Sequence, residues 1–205
     1  IKSRDGIAGL SIKMRKRPIV IKNNSEKDYQ KPFLSRNLWC AASTHETEEI
    51  FCALIHKKLK KKFSNLITII IPRHINRTNS IKTELINLGL NVHIHEPQKK
   101  IKDNTDVYLV NTYGKSKLFY NNCKNVFLGG SIINHGGQNP LEPARLGNYI
   151  LNGPNIENFK EIYEFLSKNN MSITTSNIDK IQKIIEKKLN KKISNLNKTK
   201  IVKIG

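Results

Sequence analysis

The stretch GGQNPLEPA, Gly136 to Ala144, crowds paired glycines, an Asn-Pro and a Glu-Pro into nine residues behind an apolar run that ends in Gly129-Gly130. Glycine frees the backbone and proline stiffens it, so their combination builds a loop of defined and unusual shape. Asn139 is a good N-cap residue and Pro140 suits a first helical position, with Leu141 next in the first turn. Glu142 can close a capping box or accept hydrogen bonds from a ribose diol. Free amides at such a helix start, behind Gly136 and Gly137, form an anion site. The plainer alternative is a rigid cap and turn. Gln138 and Ser131 flank this stretch as secondary candidates.

Three other stretches follow apolar runs in the same way. In ASTHETEE (42–49), Ser43 or Thr44 can cap the next helix, with Glu46 to Glu49 in its first turn. Capping does not account for His45. In PRHINR (72–77), Arg73 and Arg77 flank His74 behind Pro72. A guanidinium there can make paired hydrogen bonds to a phosphate, although a solvent-facing basic loop is the commoner outcome. In NTYGKS (111–116), Gly114 lets a ligand approach the backbone, and the amides of Gly114, Lys115 and Ser116 open a helix; an ordinary turn is the alternative.

Positioning these groups requires a scaffold, and the hydrophobic pattern supplies one. NLWCAAS (37–43) reads as a buried strand and ETEEIFCALIHKKLKKK (46–62) as an amphipathic helix. LITIIIP (66–72) is a continuous β-branched run, typical of a strand covered on both faces. A helix runs over about 80–88 and stops at Gly89. Further strands are predicted at 90–95, 106–112 and 125–130, and helices near 114–122, 140–146 and 156–168. Strands alternating with helices give right-handed βαβ units, hence an α/β fold: a Rossmann-like parallel sheet with helices on both faces. Ligands of such sheets bind beyond the carboxyl ends of the strands, where all four marked stretches fall. Residues 1–36 read as a linker or the remnant of something larger, 37–170 as the Rossmann-like domain that carries the four marked stretches, and 171–205 as a basic C-terminal helix with a stripe of Ile178, Ile181, Ile185, Leu189 and Ile193.

Composition narrows the classes. The chain has 205 residues, 36 basic against 16 acidic, for a net charge of +20. Lysine is abundant throughout and aromatics rarely interleave with the basic runs, so the charge reads as a generic affinity for anionic surfaces, with no specific nucleic acid as partner. Three scattered cysteines without a CxxC pair argue against a disulfide framework or zinc site and fit a reducing cytoplasm. His93 and His95 lack partners at metal spacing and read as a surface pair. No run approaches a membrane span, and the basic start lacks the apolar core of a secretory signal. No GxGxxG or GxxxxGK[ST] occurs, which disfavours dinucleotide-binding Rossmann domains and P-loop NTPases. Without an initiator Met, the chain is read as a fragment or processed piece.

The blocks LWCAASTHETEE, IIIPRHINR, DVYLVNTYGKSKLFY, VFLGGSIINHGGQNPLEPA and ILNGPNIENF, in this order from about Asn37 to Phe165, resemble the C-terminal half of 3-deoxy-D-manno-octulosonic acid (Kdo) transferases, which build the inner core of bacterial lipopolysaccharide. The resemblance implies the C-terminal half of a two-domain GT-B glycosyltransferase fold that binds CMP-Kdo. It implies nucleotide contacts at Pro72-Arg73, at Gly114 to Ser116 and over Asn139 to Glu142. The family usually has Gly where Thr47 stands, His where Gln138 stands, and an acid plus a small or apolar residue where Lys115 and Ser116 stand. The contacts implied at these positions are made by the backbone and do not depend on those side chains.

The function this implies is glycosyl transfer. CMP-Kdo is the donor substrate, with no cofactor and no metal. A hydroxyl of the lipid A precursor, lipid IVA, is the nucleophile, and the site is the cytoplasmic side of the inner membrane, where the chain is peripheral. The family's catalytic base is an N-terminal carboxylate and so lies outside this chain. A separately encoded N-terminal half and the anionic membrane surface are the expected partners. Two alternatives remain: a non-catalytic remnant that at most binds nucleotide, and a basic nucleic-acid-binding module.

Overall fold

The computed structural model describes residues 33, 35–97 and 99–190. A seven-stranded sheet forms the centre, in the order β3-β4-β2-β1-β5-β6-β7. Its strands are β1 (Asn37–Thr44), β2 (Leu66–Pro72), β3 (Val92–Ile94), β4 (Val107–Leu109), β5 (Asn125–Leu128), β6 (Tyr149–Asn152) and β7 (Ser172–Thr174). Every pairing is parallel. The helices are α1 (Glu48–Lys60), α2 (Thr78–Asn87), α3 (Ser116–Tyr120), α4 (Leu141–Arg145), α5 (Lys160–Lys168) and α6 (Ile178–Asn190). Short 3-10 turns precede α2 and α5, at Ile75–Arg77 and Glu157–Phe159.

The strand period of two sorts the core into two layers. Leu38, Cys40 and Ala42 of β1 face Phe119 and Tyr120 of α3 and Tyr163 and Leu166 of α5. Trp39 and Ala41 face Cys52, Ile55 and Leu59 of α1, Ile81 and Leu85 of α2, and Ile181 and Ile185 of α6. All seven residues of β2 are buried, as a central strand covered on both faces must be. Helices therefore cover both sides of the sheet, as the alternating pattern predicts.

Periodicity does not mark β6 or β7, which are short and lack the continuous apolar run of β2, although the resemblance of ILNGPNIENF implies the strand and turn that β6 opens. The segment set apart from residue 171 opens with β7, which pairs with β6. Its helix then seats Ile181 and Ile185 with no exposure. Ile193 of the expected stripe lies outside the described residues, as does the expected linker apart from residues 33, 35 and 36, of which Phe33 is buried against the sheet and Arg36 pairs with Asp103. His95 is also buried, against the reading of a surface pair: its Nδ1 lies 2.7 Å from the Tyr108 hydroxyl.

At the amino ends of the strands, Asp106 accepts from the Asn91 amide at 2.9 Å and pairs with Lys60 at 2.9 Å. Burial pushes its carboxyl up, but His56, Asn91 and Lys60 outweigh burial and hold it well below the usual range. This is the stability end of the sheet; the marked loops all lie at the other.

Candidate functional site

The chain leaves β1 toward β2 on one side, and later leaves β5 toward β6 on the other. Loops after β1 and β5 diverge at this switch point and leave a crevice between them. Two tight approaches shape it. A Cβ on Gly129 would meet the Ser43 carbonyl oxygen at 2.3 Å and the Thr44 Cα at 2.6 Å, so only glycine lets the β5 loop lie against the β1 loop. Gly136 and Gly137 both hold positive φ, 81° and 78°, and a Cβ on Gly136 would strike the Asn158 side chain. The paired glycines thus fold the loop onto the 155–158 segment, and the Gly137 N–H donates to the Gly130 carbonyl at 2.8 Å. They shape the site more than they offer amides to it.

A cleft of about 330 Å³ opens at the switch point, lined by Ser43, Ser116, Tyr120, Leu128, Gln138, Asn139, Leu141, Glu142, Pro143 and Arg145. Three of the four marked stretches meet here. Gly114, at φ 73° with open space around it, and Lys115 lead directly into Ser116 at the start of α3. The Asn139 side chain accepts the Leu141 N–H at 3.0 Å. Pro140 and Pro143 have no N–H to give, so of residues 140–143 only the Glu142 amide is left for a ligand. The amide cradle expected at this helix start is thinner than its sequence suggests. Glu142 itself is exposed at the mouth. Tyr120 and Arg145 were not anticipated; burial pushes the Tyr120 hydroxyl well above its ordinary value.

The fourth stretch sits nearby but apart. Pro72 ends β2 in register with Thr44, and the Arg73 N–H donates to the Thr44 carbonyl at 2.9 Å. Arg73 is exposed on the same carboxyl edge, one strand further from β5, and is not among the residues lining the cleft. Arg77 does not face a ligand. Its guanidinium forks onto Glu49, at 3.2 and 3.3 Å, and that carboxylate is fully buried. Burial raises the Glu49 pKa, opposed by Thr44 and Arg77. Ser131 is internal as well: its hydroxyl donates to the Leu128 carbonyl at 2.6 Å and accepts the Gly153 N–H at 2.8 Å.

The residue missed by the sequence reading is Glu48. Its carboxylate has no exposure and accepts four main-chain N–H groups. Oε2 takes His45 at 2.9 Å and Gly130 at 2.7 Å; Oε1 takes Ser131 at 3.0 Å and Ile132 at 2.9 Å. One buried anion therefore locks the β1 loop to the β5 loop. The signal was an acidic pair opening a helix straight after a strand, which was ascribed to the helix dipole alone.

Three imidazoles converge beside the cleft. The His45 ring lies 4.3 Å from that of His135 and 5.7 Å from that of His74. Burial lowers the His45 pKa, His135, His74 and Arg73 lower it further, and Glu48 opposes them. A larger hollow of about 500 Å³ runs along the β3 edge between lysines. It gathers none of the residues marked in the four stretches and lies away from the switch point.

No family model matches the chain. Among known proteins, the 3-deoxy-D-manno-octulosonic acid transferase of Haemophilus influenzae is 32% identical over 160 residues, which is 78% of this chain and 38% of that protein. The enzyme of the same name from Rickettsia prowazekii is 34% identical over 148 residues, 70% of this chain and 31% of its own length. The crystal structure of the C-terminal CMP-Kdo binding domain of WaaA from Acinetobacter baumannii superposes with a TM-score of 0.76 at 26% identity, covering 88% of this chain and 93% of that one. The chain belongs to the Kdo transferase family. It corresponds to the C-terminal domain of their GT-B fold, and it spans only 38% and 31% of the two curated relatives named above.

A strained residue opens α1: Thr47 has φ 73° at the entrance to the helix. A β-branched side chain is poorly suited to that conformation. Thr47 is also the residue that precedes the helix, with no side-chain cap bond, so neither Ser43 nor Thr44 caps α1 as expected. Ser43 instead lines the cleft, itself at φ 53°.

Proposed function

We propose that this domain binds CMP-Kdo in the cleft between the β1 and β5 loops and presents it for transfer of Kdo to the lipid A precursor, lipid IVA. The observation that carries this reading is the convergence of Ser43, Ser116, Gln138, Asn139 and Glu142 on one cleft at the switch point of the sheet. The Glu142 carboxylate, exposed at the mouth, accepts hydrogen bonds from the ribose diol. Ser116 and the Glu142 amide meet the phosphate. Arg73, one strand away, favours the negative charge that builds on CMP as it departs. An acceptor hydroxyl attacks the anomeric carbon, the bond to the phosphate oxygen breaks, and CMP leaves. The base that takes the hydroxyl proton belongs to the N-terminal domain of this family. The setting is the cytoplasmic side of the inner membrane, where the basic surface meets anionic lipid; among the described residues no helix is long and apolar enough to cross a membrane.

Calorimetric titration with CMP tests the donor side. The chain binds CMP, and Glu142→Ala and Arg73→Ala each weaken binding about tenfold, the loss of roughly 1.4 kcal/mol. A chain that does not bind CMP refutes the assignment. Variants that bind as well as the wild type refute the roles given to these two residues.

A further inference from the structure

We propose that His45, His74 and His135 form a second anion subsite that takes the carboxylate of the sugar acid carried by the nucleotide, beside the cleft that takes the nucleotide itself. This rests on the reading of that cleft as the CMP-Kdo site, and deepens it.

The three histidines come from three different strand-end loops, after β1, β2 and β5, yet their rings lie within 4.3 and 5.7 Å of the central one. His45 is only 8% exposed, and its Nε2 is buried without a hydrogen-bond partner. Buried polar atoms are nearly always satisfied, so such an atom in a loop cluster marks a place for a ligand or a water. His74 and His135 are exposed and able to turn toward a ligand. The groups acting on His45 are His135, His74 and Arg73, all cationic or able to become so, and one carboxylate, Glu48. Glu48 already accepts four N–H groups and has no oxygen left to offer an imidazolium. Among the described residues, no other carboxylate acts on His45.

Its position decides the kind of anion. Gly130 lies between the cleft and the cluster: a Cβ there would stand 3.2 Å from Gln138 Nε2, 3.2 Å from His135 Cδ2 and 3.5 Å from His45 Cδ2. Gln138 lines the cleft, so the two sites adjoin across a residue with no side chain. A 2-ulosonic acid joined to a nucleotide carries its carboxylate and its phosphate oxygen on the same carbon. Recognising that donor requires two adjoining anion sites, one for each group. A donor of a neutral sugar would leave the histidine side empty.

The test titrates wild type and the double variant His74→Ala/His135→Ala with CMP and, separately, with CMP-Kdo. Removing two exposed side chains should leave the CMP Kd within about twofold, while the CMP-Kdo Kd rises about tenfold, the size of one charge-assisted hydrogen bond. Equal weakening toward both ligands, or none toward CMP-Kdo, overturns the subsite. A wild type that binds neither ligand takes down the nucleotide reading and the subsite with it. Should the double variant lose its circular dichroism, the imidazole resonances of the wild type decide. CMP-Kdo must raise the pH midpoint of at least one of the three histidines relative to CMP. Identical midpoints with the two ligands overturn the proposal.

Discussion

Replacing Glu48 by Gln tests whether one buried carboxylate holds the two loops of the site together. The swap keeps the shape and opens no cavity, so the effect isolates hydrogen bonding. In the wild type four N–H groups point at two carboxylate oxygens. A glutamine oxygen can keep the pair on one side. Its NH₂ then faces the other two donors, which lose their acceptor where no water reaches. Each buried donor left unsatisfied costs about 1–3 kcal/mol. The swap should therefore cost roughly 2–4 kcal/mol, allowing for relaxation, against a total stability on the order of 5–15 kcal/mol for a domain of this kind. Urea unfolding followed by circular dichroism measures it through the midpoint at constant slope. Because the released loops line the cleft, the folded variant should also bind CMP more weakly. A stability loss under about 0.5 kcal/mol, the range of an ordinary surface substitution, would refute the clamp.

Thr47→Gly relieves a β-branched residue at φ 73°; strain of this kind costs on the order of 1–3 kcal/mol, and the added freedom of the unfolded chain returns roughly 0.4–1 kcal/mol. The net should be a gain near 1 kcal/mol, seen as a melting temperature raised by a few degrees; a fall would show that Thr47 makes a compensating contact. Arg77→Ala leaves the buried Glu49 carboxylate without its guanidinium. The Glu49 pKa is already raised by burial and opposed by Arg77, so removing Arg77 raises it further. A group with a raised folded pKa contributes stability at low pH that is lost as pH rises through that value. The variant's penalty, about 2–3 kcal/mol at pH 8, should therefore shrink toward pH 5, and a penalty that grows on acidification would contradict the pairing. Finally, CMP affinity should fall only severalfold between 50 and 200 mM salt, because few charges face the cleft. A fall on the order of 10³ or more would point instead to a site for polyanions.

The scaffold was largely readable because its signals are local. The β-branched run of β2, the helical spacing on α1 and the Gly89 stop each carry their meaning within a few residues. What escaped depends on partners distant in sequence. Glu48 and Gly130 are 82 residues apart, and nothing near either announces the bond. Arg77 and Arg73 look alike in PRHINR, yet one forks onto Glu49 and the other is exposed, a difference set by how the turn after β2 meets α1. Gly136 and Gly137 signal special backbone, and the Gly137 N–H is taken by the Gly130 carbonyl. Their conformation serves the packing of the 155–158 segment, visible only once β6 is in place.

The acidic opening of α1 ties these points together. Adjacent residues on a helix point about 100° apart, so consecutive acids cannot serve the same neighbour. Glu48 turns to the β5 loop and Glu49 to the turn after β2. From one helix start, two buried carboxylates thus fix the loops that follow β1, β2 and β5, the same loops that carry Ser43, His45, Arg73, His74, His135 and Gln138. These acids neither touch solvent nor face the cleft, which separates them from Glu142. The frame is anionic and internal, while the groups it holds out toward the crevice are mostly donors. Such a division lets the loops of an anion site be held rigidly while Glu48 and Glu49 add no negative charge to the cleft beside that of Glu142.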